Sequence, residues 1–354
     1  MSDVLTYCLD CIQRRLFPGC ALAFGRSYGE PRMVFAGALG YRRSSPAVDD
    51  HTWYDLASLT KSLATATAAL RMTYRQKLDP DRLLSDFFPG IRVSRARVRH
   101  LLSHSSGLSA YVPFFKSCAT GEDVIRRIIS IEAEYPTGTK SVYSDLGFML
   151  LGRVLEMVAG LPFRDLIQSE VLEPLGDASI QFGPLPKTGA LKIAPTELDF
   201  GLHDFATGTV HDENARLFGG SAGHAGLFAT LPTVAQFAER LLRIARGQAD
   251  PFLPGDLFKT WTRRQPWLPN SSWGLGWDTP TPESSAGPAL SQNSFGHTGF
   301  TGTSLWIDPD RDIYICILSN RVHPSRRTEG IKDARRRIHE LAVGELRQPP
   351  IYTN

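Results

Sequence analysis

The sequence predicts an α+β protein in which one sheet is assembled from both ends of the chain, is flanked by helices, and has a mostly helical lobe inserted between its halves. Three observations predict it. Strand-like segments lie near both termini, the stretch between them repeats its apolar residues at helical spacing, and no internal repeat or low-complexity tract breaks the chain into units. With 354 residues, of which 42% are hydrophobic, a substantial core forms without disulfides or metals. We read residues 1–354 as a single domain, with an α/β lobe at about 1–60 and 230–354 and a helical lobe at about 61–229.

In chain order, Val4 to Leu16 has amphipathic helical spacing. Gly19 to Gly25 and Met33 to Tyr41 read as strands joined by a Gly/Pro turn, and Trp53 to Leu56 as a further extended stretch. That stretch runs into a long helical pattern, Ala57 to Gln76. Helices are expected at Val98 to Ser103, Glu122 to Ile131, Leu146 to Ala159 and Phe163 to Val171, with Gly160 and Pro162 punctuating the last two. Residues 180–225 are rich in Gly and Pro and read as irregular. Thr233 to Arg246 returns to helix. Trp273 to Trp277, Gly302 to Ile307 and Ile313 to Ser319 read as strands, with a turn at Asp308-Pro309-Asp310, and Lys332 to Leu346 as a closing helix.

Composition excludes several classes. A formal net charge of +3 with no long basic run gives no footprint for nucleic acid, and the short cluster Arg92, Arg95, Arg97 and Arg99 reads as a solvated helix approach. Five scattered cysteines are not a disulfide framework. Cys8 and Cys11 form a lone C-x-x-C without a second pair and read as packing residues. The segment Met1 to Tyr7 lacks a basic and an apolar region of a secretory signal, and no window reaches the length of a membrane span. The expectation is a soluble, cytoplasmic protein with reduced thiols, a small-molecule substrate, no nucleic-acid or membrane partner and an open oligomeric state.

The chemistry concentrates at three places. Ser58 is the only serine in the chain followed by lysine three residues on. At a helix start, positions i and i+3 share a face, so the hydroxyl and the Lys61 amine meet. A serine hydroxyl needs a base to become a nucleophile, and a lysine serves where burial lowers its pKa. Tyr143-Ser144-Asp145 follows Pro136-Thr137-Gly138-Thr139 and precedes an apolar helix; a tyrosine there shuttles a proton if a cation holds its pKa down. His297-Thr298-Gly299 precedes Phe300-Thr301-Gly302-Thr303 and a strand, and glycine lets a substrate approach the strand edge while backbone N–H groups bind an oxyanion.

Together, Ser58-x-x-Lys61, Tyr143-Ser144-Asp145 and His297-Thr298-Gly299 resemble the three-motif signature of the serine β-lactamases and penicillin-binding proteins. Their order and flanks are similar to the class C β-lactamase and D-Ala-D-Ala carboxypeptidase branch, which includes many esterases. The matching flanks are Tyr54 to Ala57, His100 to Leu108, Gly226 to Thr230 and Phe295 to Asn320. The resemblance runs from Pro18 to the last helix. It implies a β-lactamase/transpeptidase-like fold with an antiparallel sheet, Ser58 as acylated nucleophile, Lys61 as its activating partner and Tyr143 as general acid/base. It further implies an oxyanion hole from the N–H groups of Ser58 and Phe300, and substrate contacts at Asp145, His297, Thr298 and Gly299. No cofactor and no metal are expected.

Two departures from the family pattern matter. Asp145 stands where the family most often has Asn, and an aspartate there holds Lys61 charged, which favours Tyr143 as the working base. His297 stands where β-lactamases usually carry Lys, which weakens the recognition of an anionic β-lactam. The expected function is therefore hydrolysis of an ester or amide of a small acyl compound, with D-amino-acid peptides or peptidoglycan fragments among the candidates, through a Ser58 acyl-enzyme. β-Lactamase or D,D-carboxypeptidase activity is the alternative, and a non-catalytic binder the alternative of another class.

Other clusters are weighed and set aside. Lys187-Thr188-Gly189 is a literal K-T-G in an irregular stretch, and Tyr352-Thr353-Asn354 a literal Y-x-N at the chain end. His203, Asp204, His211, Asp212, Glu213 and His224 have the right chemistry for zinc but no metal-site spacing. The stretches Val210 to Asn214 and Gly219 to Gly226 are expected to contact substrate. His100 and His104 read as core or capping residues, and Trp261, Trp267, Trp273 and Trp277 as core aromatics that could line an acyl pocket.

Overall fold

Antiparallel pairing of chain-terminal strands dominates the architecture. The computed structural model describes residues 2–186, 189, 191–199 and 201–347; Lys187, Thr188 and the terminal Tyr352-Thr353-Asn354 lie outside the described residues. The first helix, α1 (Asp3–Gln13), begins where the Ser2 side chain accepts the N–H of Leu5, and it buries Val4, Cys8 and Cys11 on one face. The strands of the two larger sheets are β1 (Gly19–Gly25), β2 (Arg32–Gly37), β3 (Trp53–Asp55), β4 (Ile180–Phe182), β5 (Leu227–Thr230), β6 (Phe295–Thr298), β7 (Ser304–Asp308) and β8 (Ile313–Ser319), and Leu198–Asp199 pairs with Asp204–Phe205 in a two-residue ladder. Five of them form one sheet in the order β2-β1-β8-β7-β6. Leu22 pairs with Ile317 on one side and Val34 on the other, and β6 closes one edge with His297 opposite Leu305. A three-stranded sheet, β3-β5-β4, lies beside it, with Tyr54 and Ile180 both opposite Ala229.

The two-residue period of β1 sorts side chains between two cores. Ala21 and Ala23 face the larger cluster, which takes in Leu63, Leu101, Leu151 and Phe237. Cys20, Leu22 and Phe24 face a second cluster under α1 and the closing helix, with Trp306, Ile317 and Ile338. Both sheet faces are thus covered, which explains the unbroken apolar runs of β1 and β8. All five cysteines are free, and Cys8 and Cys11 are buried packing residues. Among the described residues no single helix is long and apolar enough to cross a membrane.

Several expected elements shift. The strand expected to Tyr41 stops at Gly37, which has φ +76° and turns the chain away. Trp273 to Trp277 is not a strand: Gly276 has φ +83°, a Cβ there would lie 2.2 Å from the Ala66 Cβ, and only an isolated bridge from Trp273 to Asp278 remains. The strand expected from Gly302 starts at Ser304, because Gly302 turns at φ +115°. Residues 180–225, expected to be irregular, contain β4 and the short helix Glu213–Arg216. The helix expected from Ala57 is interrupted by a π-helical segment, Lys61–Ala66, before the regular helix α2 (Thr67–Tyr74).

Candidate active site

Asp55, at the end of β3, sets up the turn into Ser58. Its buried carboxylate accepts the N–H of Ala57 at 2.8 Å and of His211 at 2.7 Å, while burial pushes its carboxyl pKa up. Ala57 is thereby held at φ +48°, a left-handed conformation that costs a non-glycine residue about 1 kcal/mol or more. The strain turns the chain sharply, so that Ser58 opens the helix with its side chain partly exposed. The next turn closes with Lys61 N–H donating to the Ser58 carbonyl at 3.0 Å. The π-helical segment then docks through two side chains, Ser62 to the Gly276 carbonyl and Thr65 to the Gly223 carbonyl, each at 2.6 Å. π-Segments of this kind concentrate at functional sites.

Lys61 is fully buried, and its ammonium is surrounded. Nζ donates to Ser58 Oγ at 2.9 Å and to the His224 carbonyl at 3.0 Å, and it lies 2.7 Å from Asp145 Oδ1. The last contact is an ion pair between the buried ammonium and the carboxylate. Burial pulls the Lys61 pKa down, but Asp145 and Tyr143 outweigh it and the net shift is upward. Lys61 is therefore a cation at neutral pH, as the aspartate at 145 implied.

Tyr143 precedes the N-cap of α3 (Asp145–Ala159), where the Ser144 side chain accepts the Gly147 N–H. The phenol is buried against Lys61 and Ser58, with the Lys61 Nζ 5.0 Å from the ring centroid. Sequence reasoning expected a nearby cation to hold the tyrosine down. Lys61 does pull in that direction, yet burial dominates and Asp145 adds to it, so the phenol is raised above its ordinary value.

The turn after β6 is riveted to the strand that delivers the serine. Thr301 Oγ1 donates to the Asp55 carbonyl at 2.7 Å and Thr303 Oγ1 to the Leu56 carbonyl at 2.9 Å. Gly299 fits because it has no side chain: a Cβ there would lie 2.0 Å from Thr303 Oγ1 and 2.6 Å from the Leu56 carbonyl. Arg335 of the closing helix α4 (Ile331–Arg347) adds two bonds of 2.7 Å, to the carbonyls of Gly299 and Thr303. Phe300 is thus held beside Ser58. Its ring, 49% exposed, stacks on His211 at 5.7 Å, and the Arg321 guanidinium lies over it at 4.5 Å.

These groups line a cavity of about 350 Å³ bounded by Ser58, Tyr143, Trp273, His297, Phe300 and Arg335, with Thr298 and Gly299 on its strand side. All the residues singled out from the sequence for this chemistry come together: Ser58, Lys61, Tyr143 and Asp145 on one side, His297, Thr298, Gly299 and Phe300 on the other. His297 is buried. Its Nδ1 lies 2.9 Å from the Thr298 carbonyl, Nε2 has no partner among the described residues, and burial together with Lys61 pulls its pKa down to about 3. It is a neutral imidazole at the strand edge and supplies no cation. Of the four tryptophans, Trp261 and Trp277 are core, and Trp273 lines the cavity.

Part of the segment expected to touch substrate forms the wall behind Lys61. Asp212 and His224 pair at 2.9 Å, while the Gly223 backbone packs on Gly152. His211 pairs with Glu197 at 3.1 Å. Asp55 and the carbonyl of His224 were not singled out in the sequence. A lone acid in an apolar strand was the available signal for the first; nothing marks the second, because a carbonyl's role is invisible in residue identity.

The whole arrangement has known counterparts. The profile of the β-lactamase family matches residues 12–340. Proteins named putative D-alanyl-D-alanine carboxypeptidase from Salmonella typhimurium and Salmonella typhi are 32% and 31% identical to the chain, each alignment covering 77% of it and 70% of the relative. Among solved structures, EstCE1, described as a hydrolase with promiscuous acyltransferase activity, superposes with a TM-score of 0.73 at 22% identity, covering 94% of this chain and 97% of its own. The octameric penicillin-binding protein homologue from Pyrococcus abyssi gives 0.75 at 19% identity, over 96% and 77%. The fold and site define a serine hydrolase of the β-lactamase/transpeptidase type. The chain belongs to the β-lactamase family.

Proposed function

We propose that this hydrolase cleaves an ester or amide of a small acyl compound through a covalent acyl-enzyme on Ser58, with D-amino-acid peptides and peptidoglycan-derived fragments as the leading amide substrates. The observation that carries the reading is the 2.9 Å bond from Lys61 Nζ to Ser58 Oγ beside a turn pinned to the same strand. With Lys61 protonated and Tyr143 a phenol at rest, the pair must lose one proton before it accepts that of Ser58. Oγ then attacks the carbonyl carbon, and the oxyanion forms at the N–H groups of Ser58 and Phe300, neither of which has a protein acceptor among the described residues. Tyr143 returns the proton to the leaving oxygen or nitrogen, and water repeats the sequence to release the acid.

The names of the Salmonella relatives favour a D-alanyl peptide over a lactam. Neutral His297 gives a substrate carboxylate no cation at that position, which weighs against a β-lactam and a D-Ala-D-Ala terminus alike and in favour of a neutral ester. The test is a fluorophosphonate probe followed by steady-state rates on nitrophenyl esters, D-Ala-D-Ala peptides and nitrocefin. Labelling of the wild type, none of Ser58→Ala, and turnover of esters or peptides well above nitrocefin are expected. Equal labelling of Ser58→Ala, or nitrocefin as the best substrate, contradicts the reading.

A further inference from the structure

Tyr143 sits on a loop, and loops place side chains less firmly than helices or strands do. What fixes this one is a residue the chemistry above does not use. Position 104 has φ +55°, in the left-handed region, so its carbonyl and its ring both turn toward the segment that carries the tyrosine. The His104 carbonyl accepts the N–H of Val142 at 2.9 Å. His104 Nδ1 accepts the N–H of Ser144 at 3.1 Å. One residue thus grips the backbone on both sides of Tyr143, while its imidazole packs on the Tyr143 ring with centroids 4.7 Å apart. Trp273 meets the same imidazole edge-on at 4.4 Å, and Phe148 lies 5.0 Å away. The Tyr135 hydroxyl donates to the His104 carbonyl at 3.2 Å and holds the clamp from behind.

We propose that His104 is a positioning residue for the proton-transfer step, acting through Tyr143 by holding its backbone and ring in line with Ser58 and Lys61. The inference rests on the role given to Tyr143 above. The imidazole is fully buried, and its Nε2 has no partner among the described residues. Because Nδ1 accepts the Ser144 amide, the ring proton resides on Nε2. A second proton would set two N–H groups against each other at Nδ1 and add a cation near Lys61. Burial, then Lys61 and His297, hold the ring well below the ordinary histidine pKa, so the acceptor persists wherever the enzyme works. A misplacement of about 1 Å in a proton-transfer group costs on the order of a hundredfold in rate, which sets the size of the expected effect.

The test is a double-mutant cycle read with p-nitrophenyl acetate, a small neutral ester whose binding makes no demand on the clamp. His104→Gly removes ring and acceptor yet tolerates the left-handed backbone. His104→Asn also tolerates it and returns an acceptor oxygen near Nδ1. We expect His104→Gly to lower kcat by about 10- to 100-fold with little change in KM. His104→Asn should recover most of that loss, and His104→Gly/Tyr143→Phe should be no slower than Tyr143→Phe alone. Multiplying losses in the double variant, or an Asn variant as slow as the Gly variant, overturn the proposal, because a general packing role gives both. Should the Gly variant fail to fold, the Asn variant decides alone: near-wild-type turnover supports the clamp, and a loss as large as that of Tyr143→Phe overturns it. Wild-type turnover by Tyr143→Phe itself would locate the failure in the reading of the active site and not in the clamp alone.

Discussion

At the scale of single residues, Asp145 decides how the site responds to pH. Its carboxylate raises the pKa of Lys61 and also that of Tyr143, so both keep their protons to higher pH than they otherwise would. In the proposed mechanism the pair must be one proton short before it takes the proton of Ser58. Hence kcat/KM rises along an alkaline limb as that proton is lost. Asp145→Asn removes the negative charge, both groups then release their protons more easily, and the limb moves to lower pH. A pH–rate profile of the two proteins measures this; coincident limbs would show that the carboxylate does not govern the pair. Neutral His297 contributes no limb near neutrality, since it is already deprotonated there. The identities of Ser58, Lys61, Tyr143 and Asp145 were legible in the sequence because motif spacing marks them. Their protonation was only half legible: the direction at Lys61 follows from a neighbouring acid, whereas the upward shift at Tyr143 comes from burial, which no spacing reports.

Among the elements, the turn between β6 and β7 has the tightest geometry. Its threonines bond to the carbonyls of Asp55 and Leu56, and Gly299 lies against the same backbone. Gly299→Ala forces a methyl into space already filled by Thr303 Oγ1 and the Leu56 carbonyl. The turn must then retreat and carry the Phe300 N–H away from the nascent oxyanion. We expect kcat to fall by about a hundredfold, as loss of one oxyanion donor does, with the fold intact by circular dichroism. Unchanged kcat would mean that this turn does not stabilise the transition state. The glycine was legible as a place for close approach; that the backbone of residue 56 also packs against it was not. The same limit explains Trp273 to Trp277. Its aromatic composition reads as strand, yet Gly276 is needed where Ala66 packs, and tertiary contact overrode local preference. β5 lies between β3 and β4 in the small sheet, in a run too short for any period to speak.

Across the whole molecule, the site is shared by parts distant in the chain: the small sheet presents Ser58, α3 and its leading loop present Tyr143 and Asp145, and the five-stranded sheet presents its edge. The second core, on the sheet face away from the site, holds that edge in place from beneath. Leu22→Ala, at a fully buried position there, should cost about 2–5 kcal/mol in urea denaturation while leaving kcat within about twofold. A collapse of kcat without loss of stability would show the face to be coupled to catalysis in a way packing does not explain. Assembly of one sheet from both chain ends was legible from strand-like runs at both termini; the adjoining three-stranded sheet was not, since β3 is separated from its partners by more than a hundred residues of helix and loop. The proposed chemistry passes through a covalent bond to one oxygen, Ser58 Oγ. Mass spectrometry of proteolytic peptides from enzyme quenched during ester turnover detects that bond. The acyl mass is expected on the peptide containing Ser58 and is expected to vanish, with turnover, in Ser58→Ala; an unmodified Ser58 peptide during rapid turnover, or undiminished hydrolysis by the alanine variant, would rule the acyl-enzyme out.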